Sequence, residues 1–297
     1  MMRSLYSGVT GLRNHQTKMD VIGNNIANVN TIGYKSSRVI FQDIYSQTIK
    51  PASTSGGNTG GTNPQQIGLG VQVATIDVMH TKGTPQYTGY ALDLSIDGDG
   101  YFVISDGSEM TYTRAGNLYT DSQNCLVDAN GNYIMCVDPD LTIPNPAYPA
   151  PPLPNPDNIP ETLPDTQYVV GDLHKLEIPA GYTDISINKD GQVVGLDSTN
   201  TSHVLGVVAV ATFANPNGLE KSGENSYRLT VNSGTPSYVQ PATNGSGKLN
   251  PGTLEMANVD LTAEFADMIV TQRGFQANSR IITTTDQMLE ELVNMVR

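Results

Sequence analysis

The sequence predicts a mixed fold: N- and C-terminal α-helices that form a coiled-coil domain, connected to an all-β middle domain of short antiparallel strands. Three observations carry the prediction. Both ends of the 297-residue chain repeat apolar residues every 3.5 positions, the period of a coiled-coil seam. From Gly70 onward the repeat shortens to two, the period of a strand with one buried face. Glycine and asparagine punctuate that second region, as tight turns require.

The C-terminal run from Asn258 to Arg297 contains no proline and reads as one long helix. Stepping by four and three from Leu261 gives Phe265, Met268, Gln272, Phe275, Ser279, Ile282, Asp286, Leu289, Val293 and Val296. Gln272, Ser279 and Asp286 make this a poor core for a lone helix, so the seam needs a partner. The opening residues supply one. The same stepping from Leu5 gives Val9, Leu12, Gln16, Met19, Gly23 and Ile26, thickened by Val21, Ile22 and Val29. This helix ends near Asn30-Thr31-Ile32-Gly33, where asparagine and glycine favour a left-handed residue or turn. Helices of this length are marginal alone in water, so they pair with each other or with neighbours, or form a two-helix cap on a globular domain. The residues expected to carry assembly are Leu5, Val9, Leu12, Met19, Ile22 and Ile26 in the first helix, and Leu261, Phe265, Met268, Phe275, Ile282, Leu289 and Val293 in the second.

Between the helices, residues 31–70 read as a connector. Tyr34 to Lys50 mixes strand and helix character, and Pro51 to Pro64 is a glycine, serine and threonine stretch with too little apolar surface to order itself unaided. Residues 71–250 read as the β domain. Val71, Val73 and Ile76, then Leu92, Leu94 and Ile96, then Phe102 and Ile104, alternate as half-buried strands do. Asp97-Gly98-Asp99-Gly100, Ala129-Asn130-Gly131 and Lys189-Asp190-Gly191 are expected hairpin turns. Calcium at Asp97-Gly98-Asp99-Gly100 is disfavoured, because Ile104 falls where a loop starting at Asp93 needs its bidentate glutamate. Residues 139–164 hold most of the prolines and read as an exposed insertion. Residues 251–297 return the chain to the second helix.

Composition excludes several functions. A formal charge of −13 offers no basic patch for nucleic acid or an anionic membrane surface. No run approaches the roughly 18 apolar residues of a membrane span, so no membrane insertion is expected. The opening Met1-Met2-Arg3-Ser4-Leu5-Tyr6-Ser7-Gly8 has no apolar core of a signal peptide, which predicts export without signal cleavage, if the chain is exported. Cys125 and Cys136 flank a turn; two thiols and a cross-strand disulfide are both open readings, and one pair is no disulfide framework. His15, His80, His174 and His203 are scattered, without metal-ligand spacing. No nucleophile elbow, phosphate loop or dinucleotide fingerprint occurs. The expectation is a protein that is not an enzyme, with no metal and no cofactor.

Six stretches resemble a known family. They are LYSGVTGLRNHQTKMDVIGNNIANVNTIGYKSSRVIFQDIYSQT from Leu5 to Thr48, GGTNPQQIGLG from Gly60 to Gly70, LDLSIDGDGYFVISDG from Leu92 to Gly107, YTRAGN from Tyr112 to Asn117, ATFANPNGLEKSGENSYR from Ala211 to Arg228, and LEMANVDLTAEFADMIVTQRGFQANSRIITTTDQMLEELVN from Leu254 to Asn294. They resemble the bacterial flagellar rod and hook axial proteins, and among these the hook proteins, in a short form lacking a large outer domain. The resemblance implies a subunit that self-assembles into a curved, flexible hook tube carrying motor torque from rod to filament. A distal rod subunit of the basal body is the alternative, and a monomeric β-domain adhesin on a helical stalk a third reading. The implied partners are further copies of the chain in a helical homopolymer, the rod, hook-cap and hook–filament junction proteins, and the flagellar type III export apparatus. The implied location is the flagellum, outside the cell.

Overall fold

Helix α1 (Met2–Ala27) and helix α2 (Leu261–Met295) are the two terminal helices expected from the 3.5-residue period. Asp260 caps α2: its Oδ1 accepts from the backbone N–H of Thr262 at 2.9 Å and of Ala263 at 3.3 Å, satisfying donors that the first turn leaves free. Glu264 in that first turn complements the helix dipole. Helix α1 gives way to a turn, and Gly33 at φ +69° supplies the left-handed residue that ends the run. Alanine there would collide with the backbone, its Cβ 2.7 Å from the amide nitrogen of Ala115.

The computed structural model describes residues 2–54, 56, 60–138, 167–168, 173–179, 181–197 and 201–295. The proline-rich insertion expected at 139–164 lies outside them, as do Val296 and the middle of the glycine-rich stretch. The chain divides into two units: residues 1–29, 36–79 and 259–297 form the first, residues 30–35 and 80–258 the second.

In the first unit, α1 and α2 pack against each other and α1 also meets a two-stranded ribbon. The ribbon occupies much of the segment read as a connector and linker. Ser37–Asp43 pairs antiparallel with Val71–Val78, and Ser46–Lys50 with Gln65–Gly68. The pairing reaches into the glycine-rich stretch, where Ser53 and Thr62 exchange backbone hydrogen bonds of 3.0 and 3.1 Å and their hydroxyls meet at 2.8 Å. Backbone pairing therefore supplies the order that apolar burial does not. The same pairing explains why Val71–Val78, which the alternation assigned to the β domain, belongs with the helices.

The second unit is the all-β domain. One path through its main sheet runs Ser237–Val239, Val210–Thr212, Tyr101–Ser105, Tyr133–Val137, Ser202–Val208, Gln192–Leu196, Thr183–Ile187, antiparallel throughout. Its central strands are buried on both faces. Phe102, Ile104, Ile134, Cys136, Val208 and Val210 enter one core cluster, while Tyr101, Val103, Met135, Val137, Ala209 and Ala211 enter the other. Hairpins form at Ala129-Asn130-Gly131 and Lys189-Asp190-Gly191, with Gly131 at φ +85° and Gly191 at φ +79°. Asp97-Gly98-Asp99-Gly100 is not a hairpin. Leu94–Asp97 pairs with Lys248–Pro251, whereas Tyr101–Ser105 pairs within the main sheet, so this turn passes the chain between sheets. Gly98 and Gly100 both sit at φ +135°, and a Cβ on Gly100 would lie 2.3 Å from Val210 Cγ1. Cys125 and Cys136 are both buried free thiols, and burial pushes the Cys136 thiol up to about 12.

Candidate functional site

Small residues let the helices of the first unit approach closely. A methyl on Gly8 would stand 3.3 Å from Ile282 Cγ1, one on Gly11 2.6 Å from Asn278 Nδ2, and one on Gly274 2.7 Å from the His15 ring. Lys18 pairs with Asp267 at 3.4 Å, and Asn25 Nδ2 donates to Glu264 Oε1 at 2.9 Å. Positions that rise along α1 thus meet positions that fall along α2, and the pair is antiparallel. Asn25, 1% exposed, also donates to Ser37 O at 2.8 Å and accepts from Ser37 N at 3.0 Å, which fixes the ribbon's first strand to α1.

The expected seam coincides with this contact at every second position. Leu5, Leu12, Met19, Ile26, Met268, Phe275, Ile282 and Leu289 are half-buried. At the intervening positions the contact runs one residue earlier, through Gly8, His15 and Ile22 in α1 and Glu264, Thr271, Asn278 and Thr285 in α2. Ile22 is 3% exposed and belongs to it. Val9, Leu261, Phe265 and Val293 do not: they are 37%, 38%, 50% and 66% exposed. Val293 has the right rotation about α2 but lies beyond the start of α1. The buried Thr271 and Thr285 hydroxyls bond back to the Asp267 and Ile281 carbonyls at 2.7 and 2.6 Å, so these two are satisfied inside their own helix.

The helix pair leaves much apolar surface open. On α2, Phe265 and Ile269 flank the α1-facing stripe on one side, and Val270, Ile281, Met288 and Leu292 on the other. The ribbon exposes Ile40, Ile44, Tyr45, Ile49, Ile67 and Ile76. These exposed apolar side chains lie on both the helices and the ribbon of the first unit.

In the β unit the notable site is a buried ion cluster. Glu255 Oε1 accepts from Lys35 Nζ at 2.6 Å and from the Gly83 amide at 2.9 Å, and Oε2 lies 3.3 Å from Arg114 Nη1. Lys35 also donates to Thr81 O at 2.8 Å, and Arg114 Nη2 to Gly98 O at 2.8 Å. Burial pulls the Lys35 ammonium below the usual lysine range, and Glu255 opposes that pull. The Gly33 amide donates to Glu255 O at 2.8 Å, Asn225 Nδ2 to Ile32 O at 3.2 Å, and Lys221 Nζ to Lys35 O at 3.1 Å while lying 4.8 Å over the Tyr34 ring. Residues 30–35 are thereby inlaid in the β unit. Periodicity had no means of finding this cluster. Its members nevertheless sit in quoted stretches: Lys35 after Gly33-Tyr34, Arg114 in YTRAGN, Glu255 in LEMANVD, each a charge set among apolar or turn residues.

Three family models match the chain: flagella basal body rod protein over residues 5–35, flagellar hook protein FlgE/F/G D1 domain over 95–195, and flagellar basal body rod FlgEFG protein C-terminal over 250–295. The chain is 46% identical to the flagellar basal-body rod protein FlgG of Bacillus subtilis over 298 residues, covering 100% of both chains. It is 36% identical to the flagellar hook protein FlgE of Borreliella burgdorferi over 440 aligned positions, with 99% of this chain and 100% of the relative covered. The FlgG of Caulobacter vibrioides is 34% identical, with 97% of each chain covered. On these full-length similarities, with terminal helices and a β domain in the same chain, the protein belongs to the flagellar rod and hook family of axial structural proteins.

Proposed function

We propose that the chain is a distal rod subunit of the bacterial flagellum, a scaffold rather than a catalyst, assembling with copies of itself and with neighbouring axial proteins. The observation that carries the rod reading is length. The FlgG of Bacillus subtilis aligns over 298 residues, close to the 297 of this chain, whereas the alignment with the FlgE of Borreliella burgdorferi takes 440 positions. A hook subunit is the second reading, favoured by the 36% identity to that FlgE and by the hook-like wording of Arg273 to Met288.

The open apolar faces of α2 and of the ribbon support assembly, because a heterologous contact whose rotation does not close builds a helical tube. Gly8, Gly11, Thr271, Asn278 and Thr285 take places in the helix contact between its apolar residues, which limits the apolar surface the pair buries by itself. Its stability then comes largely from neighbours, and helices that gain order on docking suit a chain passed in an unfolded state through the flagellar type III export apparatus without signal cleavage. The place of action is the flagellar axis outside the cytoplasm.

Electron microscopy of assemblies grown from the purified full chain tests this. A rod subunit gives straight, rigid tubes and a hook subunit curved, flexible ones. A chain that stays monomeric, with helicity independent of concentration, sinks both and returns the adhesin reading.

A further inference from the structure

One ring lies where the three elements of the first unit meet. His15, half-buried on α1, sets its Cε1–Nε2 edge over Gly274 of α2, where a Cβ would come within 2.7 Å of both atoms. Its other neighbour is Phe41 of the ribbon, edge-on with ring centroids 6.1 Å apart. The backbone is fitted to the ring on both sides. Helix α2 has glycine at the position the ring covers, although glycine is a poor residue for a helix interior. The ribbon carries a bulge at the same level: the register of Ser37–Asp43 against Val71–Val78 shifts between Ile40 and Phe41, and a bulge bends the strand that holds it. Beside the ring, Asn14 Nδ2 donates to Val71 O at 2.6 Å and ties the ribbon to α1.

This seat suits the neutral ring only. Nδ1 is buried with no hydrogen-bond partner among the described residues. Whichever nitrogen carries the proton in the neutral imidazole, the imidazolium carries one on both. Protonation therefore puts a charged N–H donor at Nδ1 with no acceptor to meet it. The charged groups nearby do not compensate. On α1, Lys18 repels the imidazolium, and Asp267 of α2 is already engaged with Lys18 at 3.4 Å. Arg273, next to Gly274, adds a further cation and donates to Gln276. On the ribbon, Arg38 and Asp77 pair with each other at 3.6 Å, and Asp43 ends its strand exposed. Burial, and then Lys18, accordingly hold His15 below the ordinary 6.5.

We propose that His15 is an acid-sensitive latch of the first unit: its neutral ring holds α1, α2 and the ribbon together, and protonation releases the ring to water and loosens all three. Above pH 6.5 the ring is neutral in the closed and the open chain, and the latch is whole. As pH falls below 6.5 the open chain takes a proton that the seat refuses, and the latch weakens. The latch rests on the fold of the first unit alone. Tube growth shares its pH dependence only if copies assemble through this unit as proposed above.

The unassembled full chain provides the test, read by histidine NMR and by the helical circular dichroism signal, which among the described residues only α1 and α2 carry as α-helices. His15 should titrate below 6.5, and the urea midpoint of the helical signal should fall between about pH 7.5 and about pH 5.5. His15→Gln and His15→Phe, neither of which titrates, should each show less than half of that fall. Phenylalanine keeps a ring in the seat, so a fall missing from both variants belongs to the proton and not to packing. A His15 pKa at or above 6.5, no fall in the parent, or half or more of the fall in either variant overturns the latch, whether or not tubes form.

Discussion

Lys35 Nζ and Glu255 Oε1 lie 2.6 Å apart, 220 residues apart in sequence, with both side chains 1% exposed. Lys35 is the last residue of the β unit before the ribbon, and Glu255 lies three residues before its last residue, Asn258. The pair thus joins, inside the β unit, the two segments from which the chain passes on into the helical unit. Buried pairs of this kind are weak evidence for net stabilisation, but breaking one is costly, because the remaining charge stays out of water.

Glu255→Gln should therefore destabilise the β unit by about 3–5 kcal/mol, since it strands Lys35 and Arg114 together. Lys35→Met should lose less, about 1–3 kcal/mol, because Glu255 keeps Arg114 and the Gly83 amide. Urea unfolding followed by tyrosine fluorescence reads both. Equal losses would mean that Glu255 is no hub.

Glycines of the helix pair separate packing from helix propensity. A Cβ on Gly23 meets nothing within 4 Å, so Gly23→Ala should gain about 0.5–1 kcal/mol, the ordinary preference of a helix for alanine. Gly274→Ala has the same propensity gain but drives its methyl into the His15 ring, which also meets Phe41 edge-on at 6.1 Å, and should lose about 1–3 kcal/mol net. Thermal loss of helicity in assemblies of the two variants should move in opposite directions; a shared direction would put the helices farther apart than the geometry has them.

The same glycines show how far the sequence could be read. Leu12, Met19, Phe275 and Ile282 announce both helices through their spacing, and half of their contact positions. At the other half the contact lies one residue earlier, on residues such as Gly8, Thr271 and Asn278 that apolar counting passes over. The β domain was legible because Gly131 and Gly191 end alternating runs. The ribbon was not, since Ile40, Ile49 and Ile67 face solvent in the single chain and its ordering comes from backbone pairing, which leaves little mark on composition. Lys35, Arg114 and Glu255 meet only through the tertiary fold, and no local pattern links them.

Stability of the β unit should fall on acidification through His80. Burial, and then Lys35, Arg114 and Lys221, hold the folded His80 near 4, below the ordinary 6.5. Between those values the unfolded chain takes a proton that the folded one refuses. The contribution is whole above pH 6.5, is lost as pH falls towards 4, and amounts at most to about 3 kcal/mol. His80→Gln should flatten that part of the profile. An unchanged slope would assign the loss to other groups.

The last prediction concerns the open side of α2. Val270 and Met288, 66% and 48% exposed, lie on the flank turned away from the α1 contact, so a charge at either disturbs no packing within the chain. At an apolar interface, however, each buried glutamate would be desolvated without a partner, a loss of several kcal/mol that one subunit contact does not absorb. Val270→Glu and Met288→Glu should therefore abolish tube growth while urea unfolding of the β unit stays within about 0.5 kcal/mol of the parent. Sedimentation of the variants at concentrations where the parent polymerises reads the first, and tubes of normal length from both variants would place the assembly contact on another face, with the ribbon's Ile44, Tyr45 and Ile49 the next surface to charge.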